Sequence, residues 1–120
     1  MKIFLLFIGM TLSFNFAQAQ CYVYNYSTYK RELKVDEQYG VSYSTSKRLY
    51  KFDGAYLIDY STYKRLLKFD NQYVIRYSDY KRIARLDGSY LVDYSTNRRI
   101  AKLDCPNSRS ALAAAAYFLL

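Results

Sequence analysis

Residues 56–72 read YLIDYSTYKRLLKFDNQ, and the same seventeen-residue pattern recurs five times along the chain. Tyr22, Tyr39, Tyr56, Tyr73 and Tyr90 open the five copies, and Tyr26, Tyr43, Tyr60, Tyr77 and Tyr94 keep the same interval. Arg31, Arg48, Arg65, Arg82 and Arg99 hold the register, as do Asp36, Asp53, Asp70, Asp87 and Asp104. A fixed period of this kind governs the reading of every local motif inside it. Positions within a copy are numbered p1 to p17 from its first tyrosine.

Each copy holds an apolar and aromatic run at p1–p5, a polar stretch at p6–p9, a second apolar run at p10–p14 and a joint at p15–p17. Tyrosine, valine, isoleucine, leucine and phenylalanine favour strands, and Asp53-Gly54, Asp70-Asn71 and Asp87-Gly88 favour tight turns. Runs of about five residues suit strands and are too short for helices. Ten antiparallel strands in five hairpins follow. Side chains alternate faces along a strand, so an odd repeat length flips every second hairpin unless one loop is odd. A four-residue loop at p6–p9 with a three-residue loop at p15–p17 meets that condition. It places p5 opposite p10 and puts p1, p3, p5, p10, p12 and p14 on one face, with p2, p4, p11 and p13 on the other.

The cysteines say how the array ends. Cys105 occupies p16 of the fifth copy, and Cys21 the p17 place just before the first. An intermolecular bridge is one use for them. Bonding them to each other requires Cα atoms ~4.4–6.8 Å apart, whereas ten strands of an open sheet separate its edges by about nine spacings of ~4.8 Å. An internal bond therefore implies a ring, which also removes the sheet edges that invite aggregation. The expected fold is all-β: five hairpins closed into a pseudo-five-fold barrel or toroid, with a short C-terminal helix.

The flanks differ from the repeats. Lys2, the apolar stretch from Ile3 to Phe16 and the small residues Ala17 and Ala19 read as a secretory leader over residues 1–19, cleaved near Ala19. The domain then runs over 20–105. Residues 106–120 begin with Pro106-Asn107-Ser108, a helix-start signal, and end in the apolar SALAAAAYFLL. Such a helix needs burial on or in the ring, and a membrane-associated tail is the rival reading. The destination is secreted, periplasmic or cell-surface, where a cystine persists.

Composition narrows the chemistry. The 120 residues are 52% hydrophobic, with one Pro and four Gly, which suits one folded domain. There is no His, so imidazole-based catalysis and imidazole metal sites are excluded. Asp59 and Asp93 share p4, but they stand two copies apart with Arg76 between them, a poor arrangement for paired-carboxylate hydrolysis. No enzyme, metal or cofactor is expected. The charge is +8, or +7 without Lys2. Lys30-Arg31, Lys47-Arg48, Lys64-Arg65, Lys81-Arg82 and Arg98-Arg99 gather at one end of the hairpins, interleaved with Tyr29, Tyr63 and Tyr80, while the p15 aspartates gather at the other. Clustered cations beside aromatic faces suit an anionic polymer or glycan. The structural alternative has each p10 Arg stacked on the p5 Tyr opposite it, and each p15 Asp capping a turn.

The unit Tyr-x-Val/Ile-x-Tyr-Ser-x-x-Lys-Arg-x-x-Lys-Leu/Phe-Asp-Gly, over residues 22–104, resembles the hairpin repeats of small bacterial β-flower domains. The resemblance implies a rotationally symmetric all-β fold and supplies no site residues. The function expected from the residues is a non-catalytic secreted interaction module. A self-assembling extracellular fibre or stacked-ring subunit is the alternative.

Overall fold

The computed structural model describes residues 20–120, and the expected leader lies outside them. Ten strands follow in order: β1 Cys21–Asn25, β2 Arg31–Val35, β3 Tyr39–Ser42, β4 Arg48–Asp53, β5 Tyr56–Asp59, β6 Arg65–Asp70, β7 Tyr73–Arg76, β8 Arg82–Asp87, β9 Tyr90–Asp93 and β10 Arg99–Leu103. One helix, α1 Ser108–Leu119, completes the chain. Each strand pairs antiparallel with its neighbours in sequence, and β10 pairs with β1, so five hairpins form a closed barrel. The seam is Ala101↔Asn25, Lys102↔Tyr24 and Leu103↔Val23. Cys21 and Cys105 are bonded across it with their Cα atoms 5.5 Å apart. Asp104 N–H also donates to the Tyr22 carbonyl at 3.1 Å.

The register differs from the expected one, for a definite reason. Both loops are even. Asp59 N–H donates to the Lys64 carbonyl at 2.9 Å, closing a four-residue loop at p5–p8, and Asp53 pairs with Tyr56 across the two-residue turn Gly54-Ala55. The odd residue is instead a β-bulge. In the third copy Tyr56 pairs with Lys68 and Leu57 with Leu67, but Ile58 pairs with Arg65, leaving Leu66 extra. The same shift recurs at the same place in the other four copies. A bulge absorbs one residue without a partner and adds twist, which helps a short-stranded sheet to close. It also reverses the facing of everything after p11. Thus p12 and p14 turn inward with p2, and p13 turns outward with p1, against the expected facing.

The barrel interior is consequently continuous and apolar. Val23, Leu57, Val74 and Leu91 at p2 and Leu33, Leu67, Ala84 and Ala101 at p12 are fully buried. Copy two exchanges sizes: Gly40 stands at p2, and its cross-strand partner Tyr50 fills the space at p12. α1 runs through the middle. It packs against β1, β2 and β5–β10, and Ala113 lies beside Gly40 of β3. Seven consecutive residues, Ser110 to Ala116, are buried, which is nearly two turns buried on every side. A helix buried all round must be apolar all round. Alanine also keeps it thin and without a preferred face, so it fits the axis of a five-fold ring. Asn107 caps it, accepting from Ser110 N–H at 2.9 Å. The tail's apolar surface is therefore satisfied inside the barrel along this stretch.

Candidate functional site

The outer wall carries a continuous girdle. Each p10 arginine stacks on the p1 tyrosine of its own copy: Arg31 on Tyr22 at 4.2 Å, Arg48 on Tyr39 at 4.0 Å, Arg65 on Tyr56 at 4.1 Å, Arg82 on Tyr73 at 3.9 Å and Arg99 on Tyr90 at 4.1 Å. The expected partner was the p5 tyrosine; the bulge moves p10 opposite p3 and within reach of p1. The p5 tyrosines belong to the next copy round the ring. Tyr43 meets Tyr22 edge-on at 5.8 Å, and the pattern continues to Tyr26 on Tyr90 at 5.7 Å, which closes the circle over the seam. Hydrogen bonding to tyrosine raises the guanidinium pKa further: Tyr60 acts on Arg48, Tyr26 on Arg99, and Tyr24 then Tyr43 on Arg31. Each cation–aromatic contact stabilises by ~0.5–1 kcal/mol at an exposed site. The p10 arginines of the expected basic rim are thus committed to the wall.

The loop tips explain p4 and p7. Asn25, Asp59 and Asp93 each accept the N–H of the p6 serine two residues on, at 2.9, 3.1 and 3.0 Å. Thr28, Thr45 and Thr62 at p7 accept the p9 N–H at 3.3–3.4 Å. These are local turn-forming bonds that short polar side chains supply. Copy four changes both positions together: Arg76 replaces the p4 acceptor and pairs with Asp79 at p7, 2.7 Å away. That guanidinium holds the Asp79 carboxyl well below its usual range, at about 2. Asp59 and Asp93 are therefore turn residues, and nothing brings them together. Of the p15 aspartates, Asp36 caps its turn by accepting from Gln38 and Tyr39 N–H at 2.8 and 2.6 Å, and Asp104 accepts from Tyr22 N–H at 3.3 Å. In the three middle copies, no side-chain cap forms among the described residues; the turn is made by a left-handed p16 at Gly54, Asn71 or Gly88, with φ of 58–64°.

The groups left free differ from the expected set. Lys30, Lys47, Lys64, Lys81 and Arg98 at p9 are exposed on the loops. Tyr29, Tyr63 and Tyr80 at p8 are 59, 64 and 59% exposed. All five p8 residues have positive φ: 59° at Tyr29 and Ser46, 60° at Tyr63, 59° at Tyr80 and 62° at Asn97. For a bulky residue this conformation costs ~1 kcal/mol or more, and asparagine or glycine suits it better. Simple alternation places the p13 cations Lys34, Lys51, Lys68, Arg85 and Lys102 on the opposite face from p1; the bulge turns them onto the outer wall. Their presence in every copy was the available signal. Lys51 Nζ lies 5.5 Å from the Tyr63 ring and Lys68 Nζ 5.9 Å from the Tyr80 ring. Arg85 donates to Asn97 Oδ1. At the seam, Tyr24, Tyr29 and Lys102 line a pocket of about 250 Å³.

At the mouth where α1 ends, the Tyr117 hydroxyl donates to Glu32 Oε1 at 3.3 Å. Burial beside Tyr117 and Asp59 pushes the Tyr50 hydroxyl up to about 12. Among the described residues no three carboxylate or cysteine groups converge as metal ligands, and no helix is long and apolar enough to cross a membrane. The strands are four to six residues long, against about nine to eleven for a membrane-spanning strand, and their outward p10 and p13 positions are cationic. The cystine fits an oxidising compartment. The chain matches no family model, no curated protein and no solved structure, so the β-flower likeness rests on the repeat residues alone.

Proposed function

We propose that this chain is an exported, non-catalytic module that binds an anionic polymer or glycan on the outside of its barrel. The observation carrying this reading is the division of labour among the cations. The p10 arginines are stacked into the wall, while the p9 cations stay exposed on the loops and the p13 lysines stand more loosely beside tyrosines, Lys51 by Tyr63 and Lys68 between Tyr56 and Tyr80. Closure of the sheet and the cystine support a rigid, durable scaffold for such a surface. The test is binding of the oxidised protein to immobilised heparin across a salt series. Counterion release makes the logarithm of the binding constant fall linearly with the logarithm of salt concentration. Binding that ignores salt removes the proposal.

Charge segregation favours one second reading, head-to-tail stacking of rings. Asp36, Asp53, Asp70 and Asp87 mark one end and the p9 cations the other. A sedimentation coefficient that rises with protein concentration at low salt, and not at high salt, supports it. Fibre growth by strand addition is disfavoured, because a closed barrel offers no free edge.

A further inference from the structure

We propose that three outer-wall tyrosine–lysine pairs, Tyr63 with Lys51, Tyr80 with Lys68 and Tyr29 with Lys102, are sugar-binding subsites for an acidic polysaccharide. The proposal rests on the polyanion reading above and names its ligand class and its residues.

Backbone strain singles out the tyrosines. The p8 position ends a four-residue loop in the left-handed region, and Asn97 fills it at φ 62°. Folding alone favours asparagine or glycine there. Three copies instead carry tyrosine, and each residue is 59–64% exposed, so it recovers little by burial; Tyr80 meets the tilted Tyr77 ring of its own loop at 6.2 Å. Strained residues that the fold does not need are where function is sought.

Each ring also stands beside a cation. Lys51 and Lys68, from the preceding copy, lie 5.5 and 5.9 Å from the Tyr63 and Tyr80 rings, and Lys102 shares a pocket with Tyr29 and Tyr24. The arginine stacks of the girdle are at 3.9–4.2 Å. The lysine contacts are looser: the Lys51 and Lys68 ammonium groups each stand over one face of the ring at the outer limit of a cation–aromatic contact, Lys68 is shared with Tyr56, and Tyr80 also meets Tyr77. A pyranose ring can lie on the tyrosine while its carboxylate or sulfate meets the lysine, the two demands an acidic sugar makes together.

The spacing agrees. Equivalent positions in adjacent copies are two strands apart, on the order of 10 Å, which is about two pyranose units of an extended chain. Tyr63 and Tyr80 are such neighbours. Ser46 and Asn97 interrupt the series on either side, leaving Tyr29 across the ring from the pair. The oxidising compartment implied by the cystine favours a glycan over a nucleic acid.

The experiment is calorimetric titration of the oxidised protein with a heparin-derived hexasaccharide, a neutral cellohexaose and an oligo-dT of similar length. Tyr63→Asn and Tyr80→Asn copy the residue already present at Asn97, so they preserve the fold, and circular dichroism melting checks this. Each is expected to weaken hexasaccharide binding by about five- to tenfold, the lower end of what one lost stacking contact costs. Ser46→Tyr, which builds a new pair with Lys34, is expected to strengthen it. Cellohexaose is expected to bind at least tenfold more weakly than the acidic probe. If the double tyrosine variant stays within twofold of the unmodified protein while binding remains salt-dependent, the subsites are refuted and the polyanion reading stands. Tighter, tyrosine-dependent binding of oligo-dT overturns the glycan assignment. No salt-dependent binding by the unmodified protein sinks both.

Discussion

Replacing Gly40 with valine gives copy two the p2 residue that copies one and four carry, and should nevertheless destabilise the protein. A Cβ at Gly40 would stand 3.1 Å from Tyr50 Cδ2, 3.5 Å from Tyr50 Cβ and 3.7 Å from Ala113 Cβ. The axial helix closes one side and the tyrosine ring the other, so the new methyl groups have no free space. Overpacking of this kind costs ~1–3 kcal/mol, only partly offset by the better strand propensity of valine. Tyr50→Leu alone leaves unfilled volume beside Gly40 and costs ~1–2 kcal/mol. The two together restore the size pattern of Val23 with Leu33, and most of both penalties should vanish. The expected coupling is therefore ~2 kcal/mol in the favourable direction, far beyond the additivity of independent sites. Urea unfolding of the four proteins of the cycle measures it. Additive losses, with coupling below ~0.5 kcal/mol, would refute size exchange across the β3–β4 pair as the reason for glycine at position 40.

Cutting the cystine by replacing Cys21 and Cys105 with serine releases a loop of 84-residue separation and should cost ~4–5 kcal/mol on the chain-entropy estimate, read as a large drop in Tm. An unchanged Tm would mean that the seam pairs and α1 hold the ring without it. The Tyr50 hydroxyl, raised to about 12 against ~10 unfolded, keeps its proton longer in the folded state, so its contribution is fully present below pH ~10 and is lost as pH rises through 12. After discounting for its partial exposure the loss is ~1–2 kcal/mol, and Tyr50→Phe should flatten that alkaline limb in pH-dependent melting. Asp79 should titrate at about 2 by carbon-detected NMR, and Arg76→Asn should return it toward the ordinary carboxylate value. Ser110 Oγ is buried without a hydrogen-bond partner among the described residues, so Ser110→Ala should be neutral or stabilising by up to ~1 kcal/mol in the same unfolding assay.

Much of the fold was legible in the chain because it is written five times. The seventeen-residue period, strand-forming runs of about five residues and a cysteine at each end lead to a closed ring of hairpins once the two cysteines bond to each other, since such a bond cannot span an open sheet. The tyrosine and cation positions of the outer wall were visible as recurring letters. Their partners were not. Parity demanded one odd element per copy, and in place of the expected odd loop at p15–p17 the structure has a bulge within the strand pair. The bulge at p11, set by cross-strand pairing, decided that p13 cations face outward and that each p10 arginine stacks on p1. The left-handed p8 tyrosines were equally hidden, because composition carries no record of φ.

What the sequence determined by itself was the period, the strand count and the ring, since these follow from local propensity, chain length and covalent reach. Only the tertiary structure decided which face is inside, which aromatic meets which cation, and that the alanine-rich tail occupies the axis. Those outcomes depend on packing between copies and between barrel and helix. Such contacts join residues far apart in sequence, and no single seventeen-residue unit contains them.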